Sequence, residues 1–209
     1  MDAPVAAKPV PRAIAPGVVV LDNVLPEADR AVIQTFLQSG GWAFGWKSSA
    51  KTDLFSFWHR HFAGHRHSKD EAKYECSAEL EKGFPLLFKF WLQLNRGVFA
   101  GKHHLYRCYA NAQAYGSDGT LHTDSKSEHS YTAVYYPHHE WLPNWAGETL
   151  IFNADQTDIV AAVYPRPNRL LIFPGNAPHV ARGVSRTCPV LRITLMFKSQ
   201  AKEDREEAV

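Results

Sequence analysis

The chain has 209 residues, a net charge of +2, 45% hydrophobic residues and 21% charged residues. This length suits one catalytic domain with a sizeable core, and the composition is typical of a soluble globular protein. The small net charge argues against a nucleic-acid or membrane-surface partner, and no apolar run reaches the roughly eighteen residues that predict a membrane span.

The three cysteines indicate a reducing environment. Cys76, Cys108 and Cys188 are well separated and odd in number, which disfavours a disulfide framework. None has a CxxC partner, so a cysteine metal site is not expected. The first residues lack the basic-then-apolar order of a secretion signal. We therefore expect a cytoplasmic location.

The first elements of the chain are a tail, a strand and a helix. Residues 1–16 are rich in Ala and Pro and are expected to form a flexible tail. The apolar run 17–21 predicts a short buried strand. Pro26 and the acidic residues next to it predict the start of an amphipathic helix that continues to Leu37.

The segment 42–62 is dense in aromatic residues and is compatible with strands or with irregular loops. Core packing is the preferred explanation of this density, and a substrate entrance is the alternative. Two helices are expected between residues 69 and 94, with Pro85 starting or kinking the second. Four histidines have metal-like spacing, but their basic, polar setting favours a solvated loop. They are His59, His61, His65 and His67.

After Gly101 the pattern changes to short apolar runs separated by Gly, Pro, Asn and Asp, which predicts strands. The expected strands are 103–115, 119–124, 130–136, 147–153, 159–164, 169–173, 179–184 and 190–198. Many short strands after a helical segment indicate an α+β fold that is mainly β, with helices packed on an antiparallel sandwich or barrel.

No internal repeat or linker is visible, so we expect one domain over residues 17–200. Its N-terminal part, 17–100, would support a β core over 101–200. Residues 201–209 are expected to form a charged tail.

Three residues in the β-rich half have the chemistry of a metal site. His122 and Asp124 are two positions apart, so in a strand both would face the interior of a barrel. His179 follows a Pro-Gly turn and begins another expected strand, from which it would complete a triad. An isolated His-x-Asp is common and usually structural. Two imidazoles and one carboxylate, however, leave coordination positions open, which suits ferrous iron.

An arginine further on is a candidate partner for a carboxylate ligand. Arg192 opens an apolar strand, where an unpaired charge would be costly. Its planar guanidinium can bind a carboxylate with two hydrogen bonds. Arg186 competes for this role, although a solvent-exposed loop cation is the preferred interpretation of Arg186.

The order of these motifs resembles the iron(II)/2-oxoglutarate-dependent dioxygenases, and within them the prolyl-hydroxylase-like group. The resemblance covers about residues 105 to 198, nearly half the chain, and implies a double-stranded β-helix (jelly-roll) core with supporting N-terminal helices. The matching stretches are His122-Thr-Asp124, Tyr135-Tyr136, Trp145-Ala-Gly147-Glu-Thr-Leu-Ile-Phe152, Arg169-Leu-Leu-Ile-Phe173, Pro178-His179-Val180 and Arg192-Ile-Thr194.

The resemblance also implies roles for single residues. Arg192 would pair with the distal carboxylate of 2-oxoglutarate, with a hydroxyl donor from Thr194 and a further contact from Tyr136. The gap between His179 and Arg192 is a few residues longer than in many prolyl hydroxylases. The iron ligands would be His122, Asp124 and His179.

The function that follows is hydroxylation of an unactivated carbon of a small metabolite or an amino-acid side chain, with Fe(II), 2-oxoglutarate and O2 consumed and succinate and CO2 released. Relatives that halogenate lack the carboxylate, so Asp124 favours hydroxylation. Two alternatives stay open. One is repair of alkylated nucleic acid, suggested by the paired cations of Arg192 to Lys198; the other is a non-catalytic binding or sensing module.

Overall fold

The computed structural model describes residues 9–48, 52–65 and 73–202. The helices are α1 (Glu27–Gln38), α2 (Ser77–Gly83) and α3 (Pro85–Val98). The strands are β1 (Arg12–Ala15), β2 (Val18–Leu21), β3 (Ala43–Trp46), β4 (Phe57–Gly64), β5 (His103–Gln113), β6 (Ser130–Tyr136), β7 (Thr149–Phe152), β8 (Ile159–Val163), β9 (Arg169–Pro174), β10 (His179–Ala181) and β11 (Arg192–Ala201).

The strands form two antiparallel sheets. The larger sheet has eight strands in the order β1-β2-β9-β6-β11-β5-β4-β3, and the smaller has the order β10-β7-β8. An isolated backbone bridge between His122 and His179 extends the edge of the smaller sheet. Neighbours in the sheets are mostly distant in sequence, as in a jelly roll. The expected mainly-β class with a double-stranded β-helix core is confirmed.

Strand β11 illustrates how the larger sheet separates two environments. Side chains alternate between the faces of a strand. Ile193, Leu195 and Phe197 belong to the core on the helix side of the sheet. The intervening residues face the space between the two sheets; they are Arg192, Thr194, Met196 and Lys198. One strand therefore supplies both the structural core and a polar interior.

Helix α3 supports this strand from behind. Its buried residues recur at helical spacing and are Leu87, Phe90, Trp91 and Leu94. The ring of Phe90 packs edge-on against Tyr135 of β6 and Phe197 of β11, with centroid distances of 4.9 and 5.4 Å. Both helices predicted between residues 69 and 94 are confirmed, and the second begins at Pro85. None of the helices in the described ranges is long and apolar enough to cross a membrane.

Three of the expected elements differ in the structure. Residues 12–15 form β1 instead of a flexible tail, because their backbone pairs with β2; residues 1–8 lie outside the described ranges. The expected strand 119–124 does not form. Backbone N–H groups of this segment bond to the carbonyls of Ala181, His179 and Gly175, and that of Thr120 bonds to Oδ1 of Asp53, so only a bridge and a bend result. At the C-terminal end, β11 reaches Ala201, and residues 203–209 are not described.

Acidification is expected to destabilise the fold through His138, which follows β6 and is buried. Its Nε2 accepts a hydrogen bond from the backbone N–H of Ile193, over 3.1 Å. Burial, assisted by the charge of Arg192, lowers the pKa of His138 to about 3. In the unfolded chain the pKa is about 6.5, so unfolding takes up a proton between these values. The stability contribution is therefore complete above about pH 6.5 and is lost as the pH falls toward 3.

Urea denaturation measured between about pH 7 and pH 4.5 would check this expectation. The unfolding midpoint should fall with pH in the wild type and fall less steeply in His138→Gln, whose amide oxygen can still accept the Ile193 N–H. The exposed His129 offers a control, because His129→Gln should keep the wild-type slope. Equal slopes for His138→Gln and the wild type would contradict the assignment.

Candidate metal centre

Three side chains from separate segments converge between the sheets. In the part of the chain that the structure describes, His122, Asp124 and His179 form a group whose ligand atoms all lie within 4.8 Å of one another. The backbones of His122 and His179 exchange two hydrogen bonds of 3.1 and 2.9 Å. The N–H of Asp124 bonds to the carbonyl of Gly175 over 2.8 Å. These backbone contacts bring the predicted triad together although His122 and Asp124 do not lie in a regular strand.

Hydrogen bonds orient both imidazole rings toward the carboxylate. Nδ1 of His122 lies 2.7 Å from the carbonyl of Thr120, and Nδ1 of His179 lies 2.9 Å from that of Ala177. A carbonyl only accepts, so Nδ1 of each ring carries a proton, and Nε2 has a lone pair whenever the ring is neutral. The Nε2 atoms lie 3.7 Å from Oδ1 and 3.4 Å from Oδ2 of Asp124. This is the arrangement that second-sphere hydrogen bonds give to metal-binding histidines.

Burial and the neighbouring charges set the charge states of the three groups. Burial alone would raise the pKa of Asp124, but the charge of Lys198 and the two imidazoles outweigh it and hold the pKa well below 3.8. Burial lowers the pKa of His179 to about 4. Burial opposes the charged form of His122 too, yet the carboxylate of Asp124, whose Oδ1 lies 3.7 Å from Nε2, raises the pKa of His122 above 6.5. At neutral pH the site thus offers an ionised carboxylate and a neutral His179.

The donor set fits iron(II). Two imidazole nitrogens and one carboxylate are the ligands of non-haem iron oxygenases, and they leave open positions. They also select against magnesium and calcium, which prefer all-oxygen surroundings.

Arg192 lies in the same pocket and is 2% exposed. Its Nε donates to the carbonyl of Gly147 over 2.6 Å, and its two terminal nitrogens donate to Gln113 and Thr149 over 3.0 and 2.9 Å. None of these three partners is a carboxylate. Burial lowers the pKa of Arg192, which reflects the cost of holding the charge away from water. A ligand anion in this pocket would offset that cost.

Gly147 allows Arg192 to lie this close to the backbone. Its φ is +84°, and a Cβ at this position would meet Cδ of Arg192 at 3.1 Å and the ring of Trp141 at 3.2 Å. Both the backbone conformation and the space therefore require glycine here. Trp141 and Trp145 pack beside it with Val184 in a small buried cluster. This loop thus supports the arginine from behind.

The other two residues predicted to bind the cosubstrate differ in their access to the pocket. Thr194 lines the pocket and is 4% exposed. Tyr136 is fully buried, and its hydroxyl lies 2.7 Å from Oγ1 of Thr149. Since Thr149 in turn accepts from Arg192, Tyr136 is connected to the pocket through Thr149. Arg186 is exposed and lies near the hydroxyl of Tyr115, away from the triad.

Several polar residues of this site were assigned no role at the triad from the sequence, and Lys198 was considered only as one of a pair of cations for nucleic acid. Lys198 is 3% exposed and forms an ion pair with Asp124, while Gln113 and Thr149 hold Arg192. The position of Lys198 could have been predicted, because it lies an even number of residues after Arg192 in the same strand and so points to the same face. The contacts of Gln113 and Thr149 with Arg192 could not be predicted in this way, since they depend on how strands distant in sequence pair.

A comparison with protein families now adds to the geometry. Residues 106–197 match the family model described as the 2OG-Fe(II) oxygenase superfamily, in which 2OG is 2-oxoglutarate. The matched residues make up less than half of the chain, and they include His122, Asp124, His179 and Arg192. No curated protein matches the chain.

Several solved structures share the fold of this chain. A prolyl-4-hydroxylase from Pseudomonas putida is 16% identical, with 89% of this chain and 93% of that chain covered and a TM-score of 0.58. A prolyl hydroxylase from Trichoplax adhaerens, in complex with a hypoxia inducible factor peptide fragment, is 16% identical, with 88% and 84% covered and a TM-score of 0.58. HygX from Streptomyces hygroscopicus, with nickel, 2-oxoglutarate and hygromycin B bound, is 11% identical, with 90% and 84% covered and a TM-score of 0.58.

Proposed function

We propose that this protein is an iron(II)- and 2-oxoglutarate-dependent oxygenase that hydroxylates an unactivated carbon of a small metabolite or an amino-acid side chain, while O2 and 2-oxoglutarate are consumed and succinate and CO2 are released. The observation that carries the proposal is that one pocket contains both the His122–Asp124–His179 cluster and a buried Arg192 with three neutral partners. The first feature fits an open iron site and the second fits a carboxylate ligand.

In this proposal the triad holds the iron through the two Nε2 atoms and the carboxylate of Asp124. Iron held there would let O2 act as the oxidant for cleavage of a C–H bond, with 2-oxoglutarate as the electron donor. The backbone bonds of His122, Asp124 and His179 fix the ligand atoms before the metal arrives, which reduces the reorganisation that binding requires. The presence of Asp124 favours hydroxylation over halogenation.

Arg192 binds the distal carboxylate of 2-oxoglutarate. Gly147, Gln113 and Thr149 hold its guanidinium in one orientation, so little side-chain freedom is lost when the anion binds. Thr194 adds a hydroxyl donor from the same strand face. Tyr136 acts through Thr149, whose hydroxyl it contacts.

The apolar part of the pocket keeps bulk water from the reacting carbon. Phe57, Val134, Phe173 and Met196 line the pocket beside the polar groups. Such walls strengthen the electrostatic interactions inside and suppress side reactions with water. The Trichoplax adhaerens neighbour holds a peptide and HygX holds hygromycin B, so we keep both peptide and small-molecule substrates within the proposal.

Repair of alkylated nucleic acid is less well supported. The sequence argument for it rested on the cation pair Arg192 and Lys198. Lys198 is buried against Asp124 and is not available to a phosphate backbone. A non-catalytic sensing module is also disfavoured, because the loss of one ligand is the simplest route to inactivity and all three ligands are present.

The test is turnover by the purified protein with iron(II), 2-oxoglutarate and oxygen across panels of amino acids, peptides, metabolites and methylated single-stranded DNA. We expect substrate-dependent succinate release together with a product that has gained one oxygen atom. Formaldehyde release from the methylated DNA would instead support repair. Binding of 2-oxoglutarate without succinate from any panel would support the sensing module.

A further inference from the structure

Lys198 stands out because its charge is buried next to the proposed iron ligands. It lies on β11 on the face that also carries Arg192 and Thr194, and only 3% of its surface is exposed. On the neighbouring strands its register partners are Thr132 of β6 and Arg107 of β5. A buried ammonium group is costly unless it is paired and hydrogen-bonded, so its partners define what it does.

Those partners converge on a single oxygen atom. Nζ of Lys198 forms an ion pair with Oδ2 of Asp124 and donates to Oγ1 of Thr132 over 3.0 Å. The hydroxyl of Thr132 in turn donates to the same Oδ2 over 2.7 Å. Lysine, threonine and aspartate thus form a closed triangle. A carboxylate oxygen has about two lone-pair sites, and both sites of Oδ2 are occupied.

The other oxygen of Asp124 remains directed toward the cluster. Oδ1 lies 3.7 Å from Nε2 of His122. Oδ2 lies 3.4 Å from Nε2 of His179, but its lone pairs are already used by Lys198 and Thr132. A carboxylate that bound iron through both oxygens would occupy a position that the cosubstrate or oxygen requires.

We propose that Lys198 is a positioning residue which, with Thr132, holds Oδ2 of Asp124 so that only Oδ1 binds the metal. The inference rests on the proposed role of the triad as metal ligands. Lys198 contacts the carboxylate and not the substrate. Its effect is to keep the coordination position next to Asp124 available for 2-oxoglutarate.

Replacing Lys198 with an uncharged residue distinguishes a positioning role from a purely structural one, because the two roles predict different effects on metal and 2-oxoglutarate binding. In Lys198→Met, Oδ2 is released and a repelling positive charge is removed, so Co(II) should bind as tightly as in the wild type or tighter. Binding of 2-oxoglutarate to the Co(II) protein should weaken by about tenfold or more, the size usual for second-sphere changes. The visible spectrum of the Co(II) protein should also change, because its coordination changes.

Three further variants make the test specific. Lys198→Arg keeps a cationic donor for Oδ2 and should restore most of the 2-oxoglutarate affinity. Thr132→Val removes only the hydroxyl. It should shift the dissociation constants of Co(II) and of 2-oxoglutarate in the same direction as Lys198→Met, by a smaller factor. Arg107→Met removes the neighbouring charge without touching Asp124 and should leave the Co(II) spectrum unchanged.

The measurements are calorimetric titrations of Co(II) and of 2-oxoglutarate, with thermal unfolding of each variant as a folding check. If Lys198→Met has the wild-type Co(II) spectrum and 2-oxoglutarate affinity, or if only its melting temperature changes, the positioning role is overturned. If Lys198→Met does not fold, Thr132→Val decides by the same criteria. Failure of the wild type to bind Co(II) would instead overturn the proposed function.

Discussion

Replacing Arg192 with methionine is expected to weaken 2-oxoglutarate binding by about a hundredfold or more while leaving metal binding intact, because removal of one partner of a buried charge pair costs a few kcal/mol. The guanidinium is buried, and Gly147, Gln113 and Thr149 fix its orientation. Methionine fills much of the space but cannot donate to a carboxylate. The check is calorimetric titration of 2-oxoglutarate into the metal-loaded protein.

Arg186 provides the matched control for this prediction. It is an exposed cation on a neighbouring loop, and from the sequence it was a competing candidate for binding the carboxylate ligand. Arg186→Met should bind 2-oxoglutarate like the wild type. Arg192→Lys should be intermediate, since lysine keeps the charge but lacks the two-pronged geometry of arginine. Loss of affinity in Arg186→Met but not in Arg192→Met would reverse the assignment.

Replacing His179 with alanine is expected to abolish the visible charge-transfer band that forms when iron(II) and 2-oxoglutarate are added without oxygen. One of the three protein ligands is lost, so metal affinity should fall by more than the roughly ten- to hundredfold typical of second-sphere changes. The band requires both metal and cosubstrate in the pocket. Anaerobic titration followed by absorbance measures both steps in one experiment.

His61 is the suitable control because its histidine pattern also looked metal-like in the sequence. It lies on β4, where its Nε2 is 2.8 Å from the carbonyl of Gly64. His61→Gln should keep the band and the metal affinity of the wild type. A band that persists in His179→Ala with unchanged metal affinity would remove His179 from the ligand set.

Motif order predicted that His122, Asp124 and His179 meet, and the structure places their ligand atoms within 4.8 Å of one another. Alternation along a strand accounts for two further relations: Arg192 and Thr194 of β11 line one pocket, and the adjacent Tyr135 and Tyr136 of β6 belong to different clusters of the core. Such relations can be predicted from sequence, because side chains in a strand point to alternate faces. Alternation does not predict how far a side chain lies from the pocket. Tyr136 is separated from it by Thr149.

Features that depend on distant partners were the ones that sequence reasoning missed. His122 is placed by backbone bonds to His179, which is remote in sequence, and not by a strand of its own. The first strand of the sheet was taken for a tail because composition does not reveal its pairing with β2. The contact of Lys198 with Asp124 likewise requires β11 and the loop after β5 to be brought together.

The central position of β11 between β5 and β6 has an evolutionary consequence. An insertion or deletion of one residue in this strand would reverse its two sets of side chains, placing guanidinium and ammonium groups among the aromatic rings that α3 packs against. Selection should therefore remove length changes in β11, because they would disrupt the fold, whereas the exposed loop that carries Arg186 can vary in length. New substrate preferences in this lineage should accordingly arise from the loops while the strand stays constant in length.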